Sequence, residues 1–156
     1  MGCPVSRQAT PDTRSRRDDH GAATDPLLLQ LLRAAHRVES QMSADLAELG
    51  VSPEQWRLLS VLAVEDGRTM SELSRLAVLP PASTTRGVDR LVTLGLAYRR
   101  ADPVDRRRVV VHLSARGRRR IAAVRQAEAA VESDVADALG ARGYVGLIEA
   151  LGRIGT

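Results

Sequence analysis

Two short stretches concentrate side chains that can do chemistry with an anion. Residues 102–108 read D-P-V-D-R-R-R, three consecutive arginines after an Asp-Pro turn signal, and a β-branched V-V-V run follows. Residues 83–86 read S-T-T-R, and Arg90 stands one helical turn beyond Arg86. A turn cannot bury three guanidinium groups, so they are either solvated or in contact with an anion. Guanidinium forks match phosphate oxygens and the O6/N7 edge of guanine, and short hydroxyl side chains suit either bases or phosphates. The chemistry on offer is polyanion recognition, with Ser83, Thr84, Thr85, Arg86, Arg90, Arg106 and Arg107 as candidate contacts. Asp102 and Asp105 shape the turn, because a carboxylate aimed at phosphate would repel it. Ser83 also reads as a local turn cap.

The charge distribution supports this reading. All 23 basic residues are arginine, while lysine, asparagine and phenylalanine are absent, a pattern of GC-rich bacterial codon usage that accounts for arginine abundance by itself. It does not account for segregation. Residues 68–120 hold 13 arginines against four acids, a net +9, whereas the remainder holds ten against fifteen, a net −5. Such a field suits a phosphate-facing surface.

Other chemistries find little support. His20, His36 and His112 are scattered, and no Ser–His or Cys–His pairing or strand-linked glycine-rich loop is present. The expectation is therefore not an enzyme, with no metal and no cofactor. Cys3 is the only cysteine, so no internal disulfide or thiolate cage can form, and a reducing cytoplasm is expected. No apolar run reaches the roughly 18 residues of a membrane span, and no secretory leader is recognisable. The opening M-G-C-P-V-S fits the myristoylation pattern, although that modification is not expected of a bacterial chain.

The elements that must position the two stretches follow from local signals. Residues 1–24 are polar and aperiodic and read as a disordered tail, whose Arg14, Arg16 and Arg17 read as a solvated arm. Residues 25–50 read as one long helix, with Asp25 as N-cap before Pro26 and Gly50 as a left-handed terminator. Leu28, Leu31, Leu32, Ala35, Val38, Met42, Leu46 and Leu49 form its apolar stripe. In a chain with one tryptophan and two tyrosines, a second copy of the chain is the natural cover for that stripe. Ser52 to Gln55 and Thr69 to Glu72 are capping boxes that open two further helices. Leu79-Pro80-Pro81 breaks the second of these and starts another, from Ala82 to Leu94, before Gly95. Short β-prone runs at 97–100 and 108–113 flank the Asp-Pro turn as a hairpin. Ser114 then caps a helix to about Leu139, Gly140 stops it, and Ala141 to Leu151 forms a last helix.

The fold class is mainly α with a small β-hairpin wing: a winged helix-turn-helix lobe over 51–113, helical dimerisation segments over 25–50 and 114–156, and the tail. At 70–117 the chain resembles the MarR-type (multiple antibiotic resistance) bacterial transcription regulators. S-E-L-S-R-L-A-V-L-P-P-A-S-T-T-R-G-V-D-R-L is similar to the family's helix-turn-helix, and D-P-V-D-R-R-R-V-V-V-H-L-S-A-R-G to its D-x-R-D-x-R wing and the L-T-x-x-G beyond. Two departures stand out: Val104 where the family often has arginine, and Gly87 at a usually apolar mid-helix position.

The resemblance implies a homodimer built from the first and last helices, double-stranded DNA as partner, and a sequence-specific regulator, typically a repressor released by a ligand. It places Ser83, Thr84, Thr85 and Arg86 at the groove-facing start of the recognition helix, and Asp105 and Arg107 at the wing's second Asp and Arg positions. It also implies a small aromatic or phenolic effector in a crevice near Arg33, His36, Arg37 and Trp56, although Trp56 also reads as core and His36 and Arg37 as helix-surface groups. Cys3 stands too early for the position used by redox-sensing members. A winged helix used as an architectural DNA binder or a protein-docking module, without operator specificity, is the alternative.

Overall fold

The computed structural model describes residues 25–155. The expected tail, with Cys3 and the myristoylation pattern, lies outside them. The elements run α1 (Leu27–Glu48), α2 (Pro53–Val64), β1 (Arg68–Thr69), α3 (Met70–Leu76), α4 (Pro81–Thr93), β2 (Ala97–Ala101), β3 (Val109–Leu113) and α5 (Ala115–Ile154). The fold is mainly α with a small antiparallel sheet, a winged helix-turn-helix flanked by two long helices.

Both capping boxes close. Ser52 Oγ accepts from the Gln55 amide while the Gln55 side chain accepts from the Ser52 amide, and Thr69 and Glu72 do the same for α3. These reciprocal bonds satisfy amides that a helix start otherwise leaves unpaired. The start of α1 differs from the expectation. Pro26 occupies the N-cap and no side chain caps the helix. Asp25 instead pairs with Arg33, two turns into the helix, because a carboxylate eight residues from a guanidinium gains an ion pair there.

The sheet has the order β1-β3-β2. The hairpin pairs Ala97 with Leu113 through Ala101 with Val109. The third strand, β1, was not legible in the sequence: two residues cannot show a period, and Arg68 and Thr69 become a strand only by pairing with Val111 and Val110. The final helical run is continuous except at Gly140, whose φ of 71° and ψ of 156° interrupt it where the sequence placed a stop.

The core joins the lobe to the long helices. Leu58, Leu59 and Leu62 of α2 pack with Leu73, Val88, Leu91 and Val111, and this cluster continues into Met42 and Leu46 of α1 and Ile121 and Val124 of α5. The other part of the α1 stripe stays outside: Leu28 is 68% exposed and Leu32 59%. Leu139, Ile148, Leu151 and Ile154 of α5 are exposed as well. Burial of large aliphatics is the main driving force of folding, and exposed apolar surface of this kind marks an interaction face.

Candidate nucleic-acid interface

Helices α3 and α4 meet across a tight turn at Ala77–Pro80. The Leu79 amide donates to Ser74 O, and Ser74 Oγ donates back to Leu79 O at 2.7 Å. Val78 adopts φ 53° there, a left-handed conformation that β-branched residues rarely take. Pro80 and Pro81 lack amide protons, so α4 starts with fewer donors to satisfy, and no side chain caps it. No acid stands in its first turn.

The helical turn divides the S-T-T-R stretch. Thr85 and Arg86 are exposed, as is Arg90, and Ser83 is half-buried. Arg86 Nη2 donates to Ser83 Oγ at 3.1 Å, which orients the guanidinium along the helix face. Thr84 corrects the sequence reading. It is 1% exposed, and its hydroxyl donates to Pro80 O at 3.1 Å, so it points into the core and has no surface to offer a ligand. Asp89 pairs with Arg99 of β2 at 2.7 Å and fastens α4 to the wing. Gly87 is the contact point between α4 and α2: a Cβ there would lie 2.6 Å from Leu58 Cδ1.

The turn of the wing is built by its two aspartates. Asp102 Oδ1 accepts from the Val104 amide at 2.8 Å and from the Asp105 amide at 3.3 Å, and Asp105 Oδ1 accepts from the Arg107 amide at 3.0 Å. Both carboxylates are thus spent on backbone amides and leave Arg106 and Arg107 exposed at the tip. At the root, Asp66 accepts from the Leu113 amide at 2.8 Å and lies 3.3 Å from His112 Nδ1 and 3.2 Å from Arg118 Nη2. Burial opposes its charge, but the Leu113 hydrogen bond, His112 and Arg118 outweigh that and hold its pKa below the usual aspartate value. Tyr98 stacks on the His112 ring with centroids 5.3 Å apart. One carboxylate therefore joins the α2–β1 turn, β3 and the start of α5. The sequence reading missed Asp66, whose only local signal is the Asp-Gly dipeptide.

It also missed the contribution of α3. Met70, Ser71, Ser74 and Arg75 line a notch of about 310 Å³ with Pro81 and Thr85 of α4. Ser71 and Arg75 are exposed beside it. Chemically, the lobe offers arginines on α3, α4 and the wing tip with hydroxyls between them, while the wing aspartates are tied to backbone, Asp89 to Arg99, and Glu54 of α2 lines a cleft with Ser83, Arg86 and Arg90.

The four candidate effector residues are not brought together. His36 lines a cleft of about 390 Å³ between α1 and α2 with Glu39, Ser40, Ser43, Pro53, Glu54, Arg57 and Leu79. Arg33 is engaged by Asp25, and Arg37 is exposed on α1. Trp56 faces α5, where its Nε1 donates to Glu128 Oε1 at 2.5 Å, an oxygen that also accepts from Ser60 Oγ at 3.1 Å. The cation nearest His36 in the cleft is Arg57, which pairs with Glu39 at 2.7 Å. Among the described residues no cluster of His, Cys, Asp and Glu could hold a metal, and no helix is long and apolar enough to cross a membrane.

Comparison with known proteins bears on this geometry. Residues 49–108 match the model of the MarR family. Solved structures similar to the chain include a MarR family transcriptional regulator from Silicibacter pomeroyi (28% identity, TM-score 0.75, covering 83% of this chain and 87% of that one). The transcriptional repressor CouR bound to a 23-mer DNA duplex is 26% identical with TM-score 0.75, covering 87% and 96%. NadR in complex with 4-hydroxyphenylacetate shares the fold at 21% identity and TM-score 0.78, covering 86% and 96%. No curated protein matches the chain in sequence.

Proposed function

We propose that the chain, whose residues 49–108 match the model of the MarR family, is a homodimeric, sequence-specific DNA-binding transcriptional regulator of the cytoplasm, a repressor released by a small aromatic anion. One observation carries the reading: a single lobe exposes Arg86 and Arg90 on α4, and Asp89 of that helix fastens it to a wing whose aspartates bond its own backbone and leave Arg106 and Arg107 exposed. The start of α4 fits the major groove, about 12 Å wide, and the wing arginines reach the adjoining minor groove or its phosphates. Arg75 and Ser71 of α3 meet the backbone. The DNA duplex bound by CouR supports the reading of the chain as a DNA binder.

The dimer rests on the exposed leucines of α1 and the exposed aliphatics of α5, which only a second long apolar surface would cover. Two-fold symmetry then calls for a pseudo-palindromic operator with half-sites about 10 base pairs apart, or a multiple of that. The dimerisation segments are 25–50 and 114–156, and the DNA-binding lobe is 51–113. This reading puts effector binding in the α1–α2 cleft, where the carboxylate of such an anion would meet His36 and displace Glu39 from Arg57. The 4-hydroxyphenylacetate bound by NadR is of that chemical class.

The test is selection of binding sites from random duplex DNA, followed by titration at several salt concentrations. A two-fold site that outcompetes scrambled DNA by orders of magnitude is expected. Arg107→Ala should weaken binding to it and reduce the salt slope by about one. Salt-sensitive binding without enrichment would make the chain an architectural binder, and no binding at any salt would make it a protein dock. An unchanged slope in Arg107→Ala would remove the wing from the mechanism.

A further inference from the structure

The exposed start of α4 is less polar than its sequence suggests. Thr85 is exposed, but its hydroxyl donates to Pro81 O at 3.0 Å, so its one donor is spent on the helix and its methyl group remains for contact. Thr84 is withdrawn into the core, and Ser83, half-buried, accepts from Arg86 and keeps one hydroxyl donor beside it. Pro80, Pro81 and Ala82, all exposed, supply no side-chain donor or acceptor. What the first two turns present is a small apolar surface of Pro81, Ala82 and the Thr85 methyl, bordered by a single oriented guanidinium.

In the major groove only one base edge carries an apolar group, the C5-methyl of thymine, and alanine and threonine methyls are its usual partners. We propose that α4 reads thymine C5-methyl groups by apolar contact through Pro81, Ala82 and Thr85, next to a guanine held by Arg86. This rests on the reading of the chain as a sequence-specific DNA binder, and it specifies what that binder selects. Pro81 and Thr85 also line the notch shared with Met70 of α3, which extends the apolar surface, and Ser71 and Arg75 line it too.

Removing a methyl from such a contact costs about a fourfold loss of affinity. The full-length protein is used to select its site from random duplex DNA, and that site is then resynthesised with deoxyuridine in place of each thymidine in turn, a change that deletes only the methyl. The expected result is a loss of about fourfold at one or two thymines in each half-site, next to a guanine. Thr85→Ser, which keeps the back-bonded hydroxyl and deletes the methyl, should flatten one of these penalties. Thr85→Val, which keeps the methyl and deletes the hydroxyl, should retain it.

A selected site indifferent to deoxyuridine at every position would overturn the methyl reading and leave the regulator standing. Loss of the penalty in Thr85→Val but not in Thr85→Ser would overturn it too, by assigning the contact to the hydroxyl. Failure to enrich any sequence would overturn both readings together.

Discussion

Replacing Gly117 with alanine tests the packing that holds the wing against α5. By helix propensity alone the change should stabilise the protein by up to about 1 kcal/mol. The structure reverses the sign. Gly117 lies in the first turn of α5, where its amide donates to the Ser114 cap at 2.9 Å, and a Cβ there would stand 2.0 Å from the Leu96 carbonyl oxygen and 3.2 Å from Leu113 Cδ2. The nearest atom belongs to backbone, so no rotamer change relieves the clash. Leu96 O also accepts from the Ser114 amide at 3.0 Å, so moving it strains the junction between the wing and α5. Overpacking of this kind costs about 1–3 kcal/mol and the threatened hydrogen bond about 1. Against the propensity gain, the net loss is about 1–3 kcal/mol. Urea unfolding followed by circular dichroism reads it as a lower midpoint at unchanged slope, at one fixed protein concentration because the stability of the proposed dimer would depend on concentration. Gly87→Ala is the graded comparison: it meets only the end of the Leu58 side chain, which can move, so its loss should be smaller. A midpoint for Gly117→Ala equal to or above that of the wild type would refute the reasoning.

Val78 is 78% exposed at φ 53°, a conformation costing a β-branched residue roughly 1–2 kcal/mol. Val78→Gly should therefore raise stability by about 0.5–1 kcal/mol after glycine's own entropy cost, and thermal unfolding showing a loss would remove the strain argument. Replacing Leu28 and Leu32 together with glutamate should give monomers in sedimentation, since both lie on the uncovered part of α1. A double mutant that still sediments as a dimer would exclude that face from the interface.

Much of the fold is legible along the chain because its signals are local. A serine or threonine three residues before a glutamine or glutamate closes a capping box with no help from elsewhere, as at Ser52 and Thr69. Gly140 interrupts α5 where the sequence indicates. The wing aspartates likewise act within three residues of themselves, on the amides of Val104, Asp105 and Arg107. Asp25 escaped this logic because the partner it takes, Arg33, stands two turns away. The placement of the candidate effector residues was hidden for a related reason. Trp56 shares a sequence neighbourhood with Arg57 yet turns toward Glu128 of α5, and its direction is set by what α5 brings to it.

The sequence by itself determined where helices begin and end, where the wing turns and where positive charge gathers, because each depends on residues within about one helical turn. Tertiary structure alone decided which face of each element is inward. It put Thr84 in the core and Thr85 in solvent, made a strand of Arg68 and Thr69 by pairing them with β3, and gave Asp66 its role at the wing root. It also made Gly117 a contact that no side chain can replace without displacing Leu96. The physical reason is range. Dihedral preferences and caps act between neighbours in the chain, whereas burial, strand pairing and steric exclusion act between neighbours in space.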